Sequence, residues 1–354
     1  MTKDELIQHI GGAAKIRQLA GNNVPSPFAE LMTDDPRIQT SLIPSCQRIQ
    51  QENPQWLDSF LKKRLRAEKD PRNVLSSLGE LRAYADLLSL PGVKIQPHAA
   101  NEGGADFKLT RGGHIIGKVE VFTLLPRPNC SLRIDDIVEI IPLSNTNSFR
   151  AGDTIGQDAV SKIASMKQDE HQIDKNVTTI YYVDTQVLMS GFSVSEMFLP
   201  LTSKNGAIIS GSFYQAFYGR RGDVILEGSR NGDPHCSWMM HDGRYQHPKR
   251  SGASAFLFRM LSAASPHEDP LVCYENHRRQ LSAELSDVLS ASDLFNWELS
   301  ITNSTKGSIS KYVKISNKAI NEAEAAISLS SLERDGSGCS IRNLWDRVRG
   351  FFSR

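Results

Sequence analysis

Two carboxylates, Asp106 and Glu120, occupy positions that a short hairpin would set side by side. Asp106 comes early in the extended run ADFKLTR, directly after the turn-forming Asn101-Glu102-Gly103-Gly104, and Glu120 comes near the far end of HIIGKVEVFTLL. In an antiparallel pair such positions become neighbours at one sheet edge, roughly 5 Å apart. Two carboxylates that close repel, raise a pKa or demand a cation, and hard oxygen ligands suit Mg²⁺ or Mn²⁺. A cation held there can activate water and neutralise charge gathering on a phosphoryl oxygen. Taken singly, Asp106 reads as a turn residue after two glycines and Glu120 as an exposed strand residue in a polar row. The pairing carries the chemical meaning.

The elements that must position the pair can be read from hydrophobic spacing. WLDSFLKKRLRAEK reads as a helix that Asp70-Pro71 interrupts, and NVLSSLGELRAYADLLSL reads as a second, longer helix ended by Pro91-Gly92. Val74, Leu78, Leu81, Ala85 and Leu88 recur at helical spacing on its buried face. Three extended segments follow, VKIQPH, ADFKLTR and HIIGKVEVFTLL, the last two separated by Gly112-Gly113, which predicts a β-meander. Residues 126–157 are rich in Pro, Asn, Ser and Gly around one apolar run, IVEIIPL, and read as an insertion or lid. DAVSKIASMKQDEHQI then reads as a helix, and NVTTIYYVDTQVL, with its unbroken apolar centre, as a buried central strand. The predicted order is helix, three strands, helix, strand.

On these residues the chain resembles a known family. LGELRAYADL, GGADFKL, KVEVF, a helix bearing Lys167 and Gln172, and an apolar strand, in that order, resemble the PD-(D/E)XK superfamily of restriction-endonuclease-like nucleases over roughly residues 72–188. The resemblance implies an α/β (α+β) fold: a mixed central sheet flanked by helices, an αβββαβ core, and N- and C-terminal additions. It further implies that Asp106 and Glu120 bind a catalytic Mg²⁺ or Mn²⁺, that Glu80 on the first helix assists them, and that the substrate is nucleic acid, DNA in the first instance. Alone, Glu80 is an ordinary solvated helix residue; its company promotes it. Stand-alone proteins of this kind resemble restriction or phage-defence nucleases. One position departs from the pattern. The family places a lysine two residues after the second acid, where it orients the attacking water, whereas this chain has Phe122. Lys118 shares the strand face of Glu120, Lys108 shares that of Asp106, and Lys167 lies near the inward face of the following helix. Lys167 is the first choice for a relocated lysine, with Lys118 and Lys108 behind it.

Composition sets wider bounds. The 354 residues, 39% hydrophobic, suffice for two structural units or one elaborated domain. The expected divisions are an N-terminal helical layer over 1–54, the nuclease-like core over 55–190, a sheet extension or cover over 191–295, and a polar Ser-rich segment with a terminal amphipathic helix over 296–354. A net charge of +1 makes any basic surface local. KKRLR at 62–66 and GRRGD at 219–223 are the clusters able to meet phosphate, although a solvated helix face accounts equally for the first. The five cysteines, odd in number and without a CxxC pair, favour reduced thiols and a cytoplasmic setting. The start MTKDELIQHIGG reads as neither signal peptide nor anchor, and no apolar run approaches the ~20 residues of a membrane span. His235, Cys236, His241 and His247 match no established zinc spacing. No phosphate-cradling GxxxxGK[ST] run and no GxSxG elbow occur. Ile341, Leu344, Trp345, Val348 and Phe352 form the stripe of the terminal helix, which packs on its own domain or serves a homodimer or a protein partner. Against the nuclease reading stand two others: a catalytically inactive nuclease-like fold that binds nucleic acid or protein, and an unrelated interaction protein whose carboxylates are incidental.

Overall fold

The computed structural model describes residues 1–20, 42–98, 104–125, 163, 177–184, 200–202, 208–210, 212–221, 224–230, 233–238, 242–246, 252–259, 271–276, 278–292, 299–301, 307–309 and 313–315. Its helices are α1 (Lys3–Ile10), α2 (Gly12–Ala20), α3 (Ile43–Glu52), α4 (Pro54–Phe60), α5 (Pro71–Leu87), α6 (Ser212–Tyr218) and α7 (Ala283–Ser290). Its strands are β1 (Lys94–Pro97), β2 (Phe107–Arg111), β3 (His114–Thr123), β4 (Thr179–Asp184), β5 (Pro200–Thr202), β6 (Ile208–Ser210), β7 (Val224–Arg230), β8 (Asp233–Trp238), β9 (Ala255–Arg259), β10 (Leu271–Glu275), β11 (Leu299–Ile301), β12 (Gly307–Ile309) and β13 (Val313–Ile315). Seven of the strands form one sheet in the order β1-β2-β3-β4-β9-β10-β13. The sheet is mixed: β1, β2 and β3 pair antiparallel, β3, β4 and β9 pair parallel, β10 pairs antiparallel with β9, and β13 pairs parallel with β10.

The β-meander forms for local reasons. Gly112 and Gly113 have φ of +56° and +88°, the left-handed pair that a two-residue hairpin loop between Arg111 and His114 requires. α5 begins equally cleanly: the Asp70 side chain accepts from the Arg72 backbone N–H at 2.8 Å, and Pro71 fills the first helical position, where no N–H is needed. Leu88, placed on the inward stripe by spacing, is half-buried; every residue from Leu81 to Leu87 is buried. A helix enclosed on all sides needs a layer above it as well as a sheet below.

The upper layer is N-terminal. Leu6, Ile7, Ile10, Cys46, Ile49, Leu57 and Phe60 join one continuous core with Leu78, Leu81 and Leu87 of α5. Trp56 stacks on Phe60 at 4.5 Å and meets the edge of Tyr84 at 4.6 Å, and Tyr84 in turn stacks on Phe107 of β2 at 5.2 Å. That aromatic column ties upper layer, helix and sheet together. After α4 the chain does not unwind: Leu61–Arg66 continue as a wider π-helical turn, closed by the Ala67 N–H to the Lys62 carbonyl at 3.2 Å.

Below α5 lie Val119, Ile180, Tyr182, Leu257 and Cys273 of the sheet. Three features seat the helix. Gly79 lies so near the sheet that a Cβ there would come within 2.1 Å of Thr123 Oγ1 and 2.9 Å of Asp184 Oδ2. Arg82, 3% exposed, donates from Nε to Asp184 Oδ2 at 2.7 Å, and its Nη2 pairs with the same oxygen, Asp184 being 0% exposed. Asp86 Oδ2 accepts from the Tyr182 hydroxyl at 2.5 Å and lies 3.4 Å from Arg259 Nε. The opposite face of the sheet carries an aromatic layer. Phe217 of α6 lies 4.7 Å from Phe256, 5.1 Å from Tyr245 and 5.1 Å from Tyr274 between ring centres.

Several segments fall differently from their sequence reading. Pro200 and Leu201, which end the segment SVSEMFLPL read as a helix, lie in β5, because they pair with Ser210 and Ile209 of β6. The Ser-rich region after Phe295 contributes β11, β12 and β13, the last joining the main sheet through backbone pairing that side-chain polarity does not forbid. The helix read over DAVSKIASMKQDEHQI, apart from Ile163, and the terminal amphipathic helix lie outside the described residues. Among the described residues no helix is long and apolar enough to cross a membrane.

Gly79→Ala supplies the critical check of the packing. Alanine favours an exposed helix by about 1 kcal/mol over glycine, but here its methyl meets the Thr123 hydroxyl, so the expected net outcome is a destabilisation of roughly 1–3 kcal/mol. Thermal melting that shows Gly79→Ala as stable as the parent would refute this seating of α5.

Candidate functional site

β2 and β3 pair with Phe107 opposite Val119 and Lys108 opposite Lys118. Continuing that register by one residue sets Asp106 opposite Glu120 at the end of the hairpin ladder. The carboxylate of Asp106 turns toward β3 and accepts the Val121 backbone N–H at Oδ2, 2.7 Å away, standing in for a strand acceptor. Its own carbonyl accepts the His98 N–H at 2.8 Å, which extends the β1–β2 pairing to the same rung. Gly104, with φ of +142°, gives the chain the bend that delivers Asp106 to this point.

Glu80 arrives from above, one residue past the close approach at Gly79. Its carboxyl is pushed up to about 7, chiefly by burial and next by the charge of Asp106, against a smaller opposing pull from Arg64. Asp106 is also raised, by burial first, while the Val121 N–H, Arg64 and His98 favour its charged form. The two acids therefore act on each other, one from a helix and one from a strand. Oε2 of Glu120, on β3, is buried as well. The structure thus brings Glu80 and Asp106 into one electrostatic unit and places Glu120 across the ladder from Asp106. Among the described residues, no group of three or more His, Cys, Asp or Glu side chains is arranged as a ready-made metal cage.

The lysines fall as follows. Lys108 and Lys118 are direct cross-strand partners, half-buried, on the face of Asp106 and Glu120 but two rungs nearer the hairpin turn. Lys167, with Gln172, lies outside the described residues. Phe122 is in register with Val183 of β4, and Val183 with Phe258 of β9. The position where the family pattern has lysine thus falls in a row that leads into the aromatic layer.

Sequence reasoning missed three contributors. Arg64 belongs to KKRLR, whose basic character was legible, but nothing in the residue types announces a π-helical turn there. His98 ends the VKIQPH segment and acts on Asp106 only because the β1–β2 pairing continues to that rung. Arg244, 0% exposed, lies with its guanidinium carbon 6.0 Å from the ring centre of Tyr181 and 5.3 Å from that of Phe256, and donates to the Ile163 carbonyl at 2.8 Å. Tyr181 is the β4 partner of Glu120, so this buried cation belongs to the same sheet face. Of the residues weighed for zinc, His235 and Cys236 lie on β8, and His241 and His247 are outside the described residues.

Comparison of the chain with family models, with curated proteins and with solved structures finds no match. The site must be judged on its own geometry.

That geometry makes a pH-dependent demand on stability. Glu80 holds its proton more tightly in the fold, at about 7, than at its ordinary value of 4.5, so folding takes up a proton between these limits. Without bound cation, stability falls as pH rises through that window and levels off above it. Glu80→Gln removes the buried charge. It should raise the melting temperature at pH 8, corresponding to at most about 2–3 kcal/mol, with the gain fading toward pH 4.5. Equal melting of parent and variant at pH 8 in a chelating buffer would contradict the assignment.

Proposed function

We propose that this chain is a metal-dependent nuclease of the PD-(D/E)XK kind that hydrolyses DNA phosphodiester bonds, with restriction or phage defence as its setting. The observation that supports the reading is the coupling of Glu80 and Asp106, two half-buried acids brought by a helix and a strand to one end of the β2–β3 ladder. Burying two acids against each other has no structural benefit, and a fold that maintains the arrangement maintains a place for positive charge. The donor set fits Mg²⁺ or Mn²⁺, because Mg²⁺ is commonly held by one or two carboxylates, the rest of its shell being water and substrate phosphate. When bound, such a cation supplies an activated water and neutralises charge on the phosphoryl oxygens.

The chain's own residues divide the remaining work. Asp106 is fixed by its bond to the Val121 N–H, so one oxygen is held in the strand plane while the carboxylate retains further acceptor capacity. Glu80 faces it from the helix and, holding a proton up to about neutral pH, releases it as positive charge arrives. Glu120 stands across the ladder from Asp106, in the row of Tyr181. Lys108 and Lys118 supply positive charge on the face of Glu120, two rungs away.

A second reading rests on Phe122. With a phenyl ring in the lysine position, the same fold could hold nucleic acid or a protein without cutting. A cleavage assay decides between them. Supercoiled plasmid and single-stranded DNA, incubated with the purified protein in Mg²⁺ or Mn²⁺, should be nicked or degraded. Asp106→Ala and Glu120→Ala should each lower the rate by roughly a hundredfold or more. Retarded migration of DNA with no cleavage in either metal would favour the second reading, and neither binding nor cleavage would sink both.

A further inference from the structure

The meander turns Ile95, Phe107 and Leu109 into the core that it shares with α5. By alternation, Lys94 and Gln96 of β1 and Lys108 and Thr110 of β2 project from the opposite face of the sheet. At the hairpin end of that face lies an open cleft of about 620 Å³, lined in part by Val93, Lys94, Gln96, Thr110, Arg111 and Ile115. Its volume is that of a small-ligand cleft, roughly 300–1,000 Å³. The cleft stands apart from the acids. Lys94 pairs with Thr110, four residues along β1 from His98, whose N–H bonds to the Asp106 carbonyl. At about 3.4 Å per residue the separation is roughly 14 Å. Midway between them, in the row of Gln96, stands the cross-strand pair Lys108 and Lys118.

The lining combines cations with an apolar wall. Lys94 is exposed, and among the described residues its ammonium makes no ion pair or hydrogen bond. Arg111 folds back over the start of β1, its Nε 4.0 Å from where a Cβ on Gly92 would stand. Glu284 of α7 lies 3.9 Å from that Nε, beyond hydrogen-bond reach, and is engaged by His114 Nε2 at 3.0 Å. The Arg111 fork therefore keeps its donors for an anion, and a guanidinium matches two phosphate oxygens at once. The floor is fixed by the Thr110 hydroxyl, which donates to the Lys94 carbonyl at 3.0 Å. Ile115, 44% exposed, is the large apolar side chain left open to water among the described residues, and it lines the same cleft. Two cations beside an apolar wall suit a nucleotide unit, phosphate joined to a less polar body. Further cations along the same face favour a chain of such units over a single one.

We propose that this cleft is a subsite for the backbone of a DNA strand, with Lys94 and Arg111 on one phosphate and Ile115 against the sugar or base beside it. The assignment rests on the nuclease reading for where the strand leads: down the polar face of the meander, past Lys108 and Lys118, to the acids. At roughly 14 Å from Asp106 the cleft lies too far away to touch the reacting phosphate, so it contributes affinity and alignment.

Fluorescence anisotropy of a labelled DNA strand of about twenty nucleotides, in Ca²⁺, tests it, with folding followed by thermal melting. Lys94→Glu should weaken binding roughly tenfold, and Lys94→Ala should lower the salt slope of binding by about one. Ile115→Asp should weaken binding by a similar factor of roughly ten. All three variants should melt like the parent, because both side chains are exposed. Arg48→Ala, which removes an exposed cation from α3, should bind like the parent. A labelled mononucleotide should bind at least about a hundredfold more weakly than the strand. Parental binding by Lys94→Glu or by Ile115→Asp would overturn the assignment and leave the nuclease reading standing. A parent protein that binds no strand would overturn it as well. A mononucleotide that binds as tightly as the strand, and loses affinity in Lys94→Glu, would make the cleft a free-nucleotide site and overturn it too. Strand binding that depends on Lys94 and Ile115, with no cleavage in Mg²⁺ or Mn²⁺, would remove the nuclease reading and uphold the cleft as a DNA site.

Discussion

The arrangement depends on how closely α5 can lie on β3 and β4. At Gly79 the helix backbone comes so near that no side chain larger than hydrogen fits above Thr123 and Asp184. One turn later the helix sends Arg82 down onto Asp184, and both are shut away from water. Stripping two charges of water costs several kcal/mol each, and only a well-made pair offsets it. Asp184 therefore has one productive partner, and α5 cannot slide by a residue without stranding it. Asp86, with Tyr182 and Arg259 as partners, repeats the restriction one turn further along. Hydrophobic contact alone would hold the helix to the sheet; the ionic pairs fix its register.

That register is what the acidic site consumes. Glu80 follows Gly79 directly, so the residue that permits the close approach also determines where the next side chain emerges. Asp106 reaches the same point through a strand bend and a bond to the Val121 N–H. Two half-buried carboxyls that act on each other oppose folding, and the surroundings must offset them. The N-terminal layer does so with apolar area: Leu6, Ile10, Ile49, Leu57 and Phe60 are all buried in one core with α5. Apolar packing by this layer thus keeps a costly pair of acids in place.

Much of the frame was legible in the sequence, since periodicity reports burial. The α5 helix and the strands β1 to β4 stand where apolar spacing and the Gly-Gly and Asp-Pro signals put them. The two-residue turn alone would set Asp106 opposite Val119; an irregularity between Leu109 and Thr110 shifts the register by one residue and brings Glu120 opposite instead, a step that residue spacing does not announce. The charges inside the core were a different matter. Arg82 and Asp86 lie four residues apart in LGELRAYADL and look like any exposed pair; their partners are 102 and 96 residues further along. Non-local pairing of this sort leaves no periodic trace. The wide turn at Leu61–Arg66 is similarly silent, because its residues suit an ordinary helix equally well. Segments such as β13 depend on which edge is left open, which no single stretch of sequence can report.

Phe122 is best understood from the sheet face that it occupies. Reading along β3, the side chains on that face are Lys118, Glu120 and Phe122, a cation, an anion and a ring. Each sits in a cross-strand row: Gln96 with Lys108, Lys118 and Thr179; His98 and Asp106 with Glu120 and Tyr181; then Phe122 with Val183 and Phe258. The third row runs into the aromatic layer, where Phe213 lies 5.0 Å from Phe258 between ring centres. An ammonium in that row would lose solvation without gaining a carboxylate partner from β4 or β9, whose residues there are apolar. Positive charge on this face lies in Lys108 and Lys118, toward the hairpin turn. Position 122 therefore belongs to the aromatic packing of the sheet's second face, where a ring fits against Val183 and Phe258 and an unpaired charge does not.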